Sequence, residues 1–244
     1  MRLFALIGYP LTHSFSQKYF TEKFQREHIL DAEFHLVSLE NIHELQNELL
    51  AKNNLKGFAI TIPHKKNILP FLHETTVEVA KMGACNCVKV ENGKLIGHNT
   101  DVNGFEQSLI KQLQPHHKKA LVLGTGGASA AVEYALHKLG INYTLVSRNN
   151  TVDNCISYEA INEQLLQEYT LIINTTPLGT YPKVDEAPAL PYEFITDKHY
   201  LFDLVYNPSE TLFLQKGKRA GAATQNGYEM LVIQAEENWK IWNS

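Results

Sequence analysis

Apolar residues along the chain switch between two periods. Residues 3–7 form an unbroken apolar run of strand length, 17–28 carries apolar positions at helical spacing, and 33–37 is a second strand-like run. That order is the βαβ rhythm of an α/β protein. Ser38 to Asn41 can cap a helix that puts Ile42, Leu45, Leu49 and Leu50 on one face, and a strand follows over 57–62. A helical stretch over 74–81 leads to 86–97, where Asn92-Gly93 sits between two apolar alternations and predicts a hairpin, giving this part an antiparallel edge. A second α/β unit starts near Lys118. Its strand at 120–123 runs through Gly124-Thr125-Gly126-Gly127-Ala128-Ser129 into a helix with Ala128, Val132, Ala135, Leu136 and Leu139 on one face, ended by Gly140. Further strands are expected at 142–146, 171–174 and 200–205, and a last helix at 228–242. The pattern predicts two α/β domains, 1–103 with 226–244 packing back on it, and 104–225, joined along a helix over 102–113.

Composition narrows the function classes. The 244 residues are 44% hydrophobic and 20% charged, enough for a sizeable core. A net charge of −4 leaves no basic footprint for nucleic acid, and no apolar run is long enough to span a bilayer. The opening residues read as a first strand rather than a cleaved signal, so the expected compartment is the cytoplasm. Cys85, Cys87 and Cys155 are too few for a disulfide framework, and are expected to be buried hydrophobes rather than metal ligands.

Two segments bring candidate chemistry. Ala59-Ile60-Thr61-Ile62-Pro63-His64-Lys65-Lys66 runs an apolar strand into a proline and delivers lysines at its carboxyl end, where ligands sit in open α/β sheets. A lysine there can bind an anion, form a Schiff base or exchange a proton with a hydroxyl. Gly97-His98-Asn99-Thr100-Asp101 adds a carboxylate after another short strand. Lys65 and Asp101 converging on one cleft suit proton transfer to an alcohol, with a surface salt bridge as the alternative. The glycine loop has the context of a dinucleotide site: Gly124 permits the tight turn, Gly126 lets backbone approach a pyrophosphate, and the helix from Gly127 offers free N–H groups. Where an NAD site presents a carboxylate to the ribose, the chain has Ser147-Arg148-Asn149, and Arg148 can pair with a 2′-phosphate. These residues predict a Rossmann-like domain with a preference for NADP.

With these residues placed, the chain resembles the shikimate dehydrogenases over nearly its whole length. Gly8-Tyr9-Pro10-Leu11-Thr12-His13-Ser14-Phe15-Ser16 is similar to the family's opening loop, whose two serines, here Ser14 and Ser16, hold a substrate carboxylate. Both hydroxyls face one point if that loop is extended. Thr61 and Lys65 match the next motif, Asn86 follows in Gly83-Ala84-Cys85-Asn86, and Asn99-Thr100-Asp101-Val102-Asn103-Gly104 brings the lysine's aspartate partner. Gly124, Gly126, Gly127, Ala128, Ser147, Arg148 and Asn149 match the cofactor site. Asn174-Thr175-Thr176-Pro177-Leu178-Gly179 resembles the loop under the nicotinamide, with Thr175 as its contact. Tyr206, Gly227 and Gln234 fall in the closing motifs. Gln17 stands where proline is usual, and Thr180 where methionine is common. His13, His64 and His98 flank the motifs and are expected to serve local hydrogen bonding.

The resemblance implies an N-terminal substrate domain, a Rossmann-like NADP domain and a C-terminal helix that returns to the first. It implies a small-molecule enzyme, monomer or homodimer, for reversible NADPH-dependent reduction of 3-dehydroshikimate to shikimate in chorismate and aromatic amino acid biosynthesis. Lys65 would stabilise and protonate the forming alkoxide while Asp101 orients it. A quinate/shikimate dehydrogenase of broader specificity and a noncatalytic sensor of a nucleotide and a hydroxy acid are the alternatives.

Overall fold

The computed structural model describes residues 1–11, 14–148 and 154–244. They divide into two compact units, Met1–Asn103 with Val232–Ser244, and Gly104–Leu231. The first is built on a six-stranded sheet. Strands β1 (Arg2–Gly8), β2 (Ala32–Ser38) and β3 (Leu55–Ile60) are parallel, and the hairpin β5 (Cys87–Glu91) and β6 (Lys94–His98) continues the sheet. The edge strand β4 (Glu74–Thr75) completes the order β2-β1-β3-β5-β6-β4. The expected hairpin forms, with positive φ at Asn92 and Gly93 as a two-residue turn requires. The expectation of an antiparallel edge is corrected. Only β5 runs against its neighbours, and β4, parallel to β6, takes the edge.

Both faces of this sheet are covered, which explains the unbroken apolar run of β1. Leu3, Ala5, Ile7, Phe58 and Ile60 pack on one side with Leu45 and Leu49. Phe4, Leu6 and Ala59 pack on the other with Phe20 and Phe24 of α1 (Phe15–Arg26) and Trp242 of α8 (Tyr228–Asn243). The helix expected over 42–50 is instead a 3₁₀ turn at Ile42–Glu44 followed by a single π-helical turn at Gln46–Leu50. A segment this short has little helical stability of its own, so burial of Ile42, Leu45 and Leu49 decides its backbone. The stretch 74–81 also differs. Thr76 N bonds Gly97 O in continuation of β4, and its side chain then caps α3 (Val77–Met82).

The second unit carries an all-parallel sheet of β7 (Lys119–Leu123), β8 (Asn142–Val146), β9 (Cys155–Ile156), β10 (Leu171–Asn174), β11 (Tyr200–Asp203) and β12 (Ala223–Gln225), ordered β12-β11-β10-β7-β8-β9. The chain runs outward from β7 on one side and outward from β10 on the other. The two strands at which the order reverses are therefore neighbours, the switch point where a doubly wound sheet opens a crevice. Helix α5 (Ser129–Lys138) follows β7. The unit boundary at 103/104 falls inside α4 (Thr100–Leu109), and the return to the first unit inside α8.

Candidate active site

In the first unit, the carboxyl ends of β1, β3 and β6 lie at one end of the sheet. The antiparallel β5 starts where they finish, so Asn86, just before it, joins them. Ile60 N donates to Asn86 O at 2.8 Å, and Asn86 N to His98 O at 3.2 Å. Past β3, the short helix α2 (His64–Asn67) carries Lys65, whose carbonyl accepts Cys85 N at 2.8 Å. Past β6, α4 opens with Thr100 and Asp101. These supports bring Lys65 Nζ to 2.6 Å from Asp101 Oδ2, with the side chains 20% and 12% exposed. A pair this close and this enclosed holds the ammonium at a fixed point while leaving it one open side, unlike the freely solvated pairs of the surface.

The two serines differ from the expected loop. Ser14 is extended and stands at the N-cap of α1, but its side chain makes no capping bond; Ser16 lies within the first helical turn. Among the described residues neither hydroxyl has a hydrogen-bond partner, so both remain available. Thr61 is half-buried at the end of β3, its backbone bonded to Ile7 O and its hydroxyl without a hydrogen-bond partner among the described residues. Asn86 and Gln234 are buried and joined through Thr100 and Asn238. Asn86 Oδ1 accepts Thr100 N at 2.7 Å, Asn86 Nδ2 donates to Thr100 Oγ1 at 3.1 Å, Thr100 Oγ1 to Asn238 Oδ1 at 2.7 Å, and Asn238 Nδ2 to Gln234 Oε1 at 3.3 Å. Thr100 and Asn238 were not among the residues expected from sequence. The signal for Asn238 was its place four residues after Gln234, one turn along the same helix face. His64 is buried with Nε2 2.6 Å from Leu39 O, the local bonding expected of it; His13 lies outside the described residues. Cys85 and Cys87 are buried and burial pushes the Cys85 thiol up to about 12, whereas Cys155 is half-exposed, against expectation.

In the second unit, the glycine loop follows β7 at the switch point. Gly124 has φ +104°, and a Cβ there would press on Thr175 Oγ1 and Thr176 Cγ2, so the neighbouring loop after β10 demands glycine. Gly126 and Gly127 are different. Neither has a positive φ, and among the described residues a Cβ on either would meet nothing within 4 Å, so none of them requires glycine there. Their openness fits the close approach of an external group, as a pyrophosphate needs, and the N–H groups of Gly126, Gly127 and Ala128 make no hydrogen bond among the described residues. The helix opens at Ser129, two residues later than expected, where N–H and hydroxyl both bond Gly126 O. Ser147 and exposed Arg148 follow β8; Asn149 lies outside the described residues.

The loops after β10 and β11 are tied together by Asp203, which is fully buried. Its carboxylate accepts Asn174 Nδ2 at 2.9 Å, Val205 N at 3.0 Å and Thr211 Oγ1 at 2.5 Å, while Asn174 Oδ1 accepts the N–H and hydroxyl of Thr176. Burial raises this carboxyl to about 6 in spite of those bonds. Thr175 spends its hydroxyl on Leu123 O at 2.7 Å. Tyr206 is 37% exposed just beyond β11. Gly227 is required by packing, since a Cβ would overlap the Leu204 carbonyl.

A glycine loop at the switch point of a parallel sheet, with a second α/β unit bearing an enclosed lysine–aspartate pair, defines a two-unit protein of the dinucleotide-binding α/β class. Residues 6–88 match the model of the shikimate dehydrogenase substrate binding domain. A shikimate dehydrogenase (NADP(+)) of Methanococcus maripaludis is 38% identical over 99% of this chain and 91% of its own. The crystal structure of shikimate dehydrogenase from Aquifex aeolicus, 33% identical, superposes with a TM-score of 0.87 over all of this chain and 92% of that one. A Thermus thermophilus shikimate 5-dehydrogenase in complex with NADP(H) and shikimate, 28% identical, gives 0.85 over 99% and 93%. The chain belongs to the shikimate dehydrogenase family.

Proposed function

We propose that this chain catalyses the reversible NADP-dependent interconversion of 3-dehydroshikimate and shikimate, as a step of aromatic amino acid biosynthesis, in the cytoplasm and as a monomer or homodimer. The observation that carries the reading is the Lys65–Asp101 pair, 2.6 Å apart and largely enclosed at the carboxyl end of the first sheet. In the reducing direction Lys65 Nζ donates a proton to the alkoxide oxygen that replaces the carbonyl, and Asp101 keeps the amine aimed at it. Ser14 and Ser16, with uncommitted hydroxyls, hold the substrate carboxylate; Thr61, Asn86, Gln234 and Tyr206 bind the ring oxygens. NADPH, when bound, supplies the hydride. The open backbone of Gly126, Gly127 and Ala128 fits its pyrophosphate, and Arg148, with Ser147 and Asn149 beside it, its 2′-phosphate; Gly124, Thr175 and Gly227 shape the surrounding loops.

The test is Lys65→Ala. It lowers kcat at least roughly a hundredfold with a much smaller change in KM, the low end of what a positioned acid–base group contributes. Asp101→Asn loses rate in the same sense. A near-normal kcat for Lys65→Ala contradicts the assignment.

A further inference from the structure

The four side chains that run from Asn86 to Gln234 fix more than position. Their first donor is a backbone N–H, whose polarity cannot be reversed. Because Thr100 N points at one end of the Asn86 amide, that end is the oxygen and the other is the NH₂. The NH₂ donates to Thr100 Oγ1, so the single hydroxyl hydrogen of Thr100 goes elsewhere. Asn238 offers an acceptor at 2.7 Å; the alternative, back to Asn86 Oδ1, is 3.3 Å away on an oxygen already engaged by the backbone. The atom of Asn238 facing Thr100 is therefore its oxygen, and its NH₂ faces Gln234 at 3.3 Å. Gln234 must then turn its own oxygen toward Asn238, and its remaining group, the Nε2 amide, is a donor only. Gln234 is 7% exposed, and no other side-chain hydrogen bond holds it among the described residues.

We infer that Asn238, which is 1% exposed, is a positioning residue that sets the polarity of Gln234, so that the substrate group at Gln234 is a hydrogen-bond acceptor. This rests on the reading of Gln234 as a substrate ligand. Asn86 keeps its orientation from the Thr100 backbone N–H whether or not Asn238 accepts the Thr100 hydroxyl, so Asn238 reaches the substrate through Gln234 and its effect vanishes when Gln234 is absent. A purely structural residue has no such dependence. An alanine here frees the Gln234 amide to turn either way, and Asn238→Asp, of the same shape, replaces the donor with an acceptor.

The experiment is a double-mutant cycle on the intact chain, measuring KM for shikimate and for NADP, with a melting curve for each variant. Asn238→Ala raises the shikimate KM about fivefold, the range expected for one neutral hydrogen bond, and leaves the NADP KM unchanged. In the Gln234→Ala background the same substitution changes the shikimate KM by less than about twofold, because the two residues share one interaction. Asn238→Asp repeats the pattern and carries the test if the alanine variant does not fold. An equal rise in KM with and without Gln234, or no rise in the intact chain, overturns the inference. If Gln234→Ala alone leaves the shikimate KM unchanged, Gln234 is not a substrate ligand and the inference falls with that reading.

Discussion

Single residues in this molecule are placed by their neighbours' need for partners. Asp203 is the clearest case outside the lysine–aspartate pair. Three donors converge on its carboxylate, yet desolvation raises it from 3.8 to about 6, which costs the folded state on the order of 3 kcal/mol at neutral pH. That cost is relieved as pH falls through 6, so this group adds stability on acidification. Burial lowers the pKa of His98, His117 and His199, which has the opposite sign: their contribution is whole above the ordinary histidine value of about 6.5 and is lost as pH falls below it. In the intact chain the two effects partly offset each other between pH 7 and 5.5. Asp203→Asn, which keeps an acceptor for Asn174 and Val205, removes the offset, and its melting temperature falls more steeply over that interval than the parent's. Equal slopes contradict the assignment of the raised carboxyl to Asp203.

At the level of elements, α8 shows how a helix distant in sequence completes a sheet. Trp242 stacks on Phe4, donates its indole N–H to Val88 O at 3.0 Å, and lies directly over Gly57, where any Cβ would overlap the ring. Gly57→Ala therefore displaces the indole and destabilises by about 1–3 kcal/mol, read as a lower melting temperature; an unchanged value contradicts this packing. The glycine's reason could not be found in the sequence, because the tryptophan that demands it lies at the far end of the chain. Elements with strong local signals were legible: the apolar runs of β1, β3, β7 and β10, the Asn-Gly hairpin, and the glycine loop into α5. Pieces without such signals were not. The segment 42–50 has helical spacing but takes its backbone from burial, and β4 is two residues held by pairing with Ile96 and Gly97. In the first unit, Lys65 and Asp101 stand at strand ends and can be read there, whereas Asn238, and Asp203 in the second unit, act through other side chains. Nothing local marks such residues, beyond the one-turn spacing of Asn238 from Gln234.

At the scale of the whole molecule, the chain covers about nine-tenths of the length of its relatives. Cofactor choice tests the second unit. Arg148 stands where a carboxylate would favour NAD, so NADP is preferred in kcat/KM. Arg148→Ala narrows that preference by roughly 1.5–3 kcal/mol, the worth of a hydrogen bond to a charged group. Initial rates of NADPH formation with shikimate as substrate, beside quinate and beside NAD, decide whether this chain oxidises shikimate with NADP. The expected kcat/KM for shikimate with NADP is at least about 10⁴ M⁻¹s⁻¹, in the ordinary range of enzymes, above the values for quinate and for NAD. Absence of turnover with shikimate and NADP would contradict it.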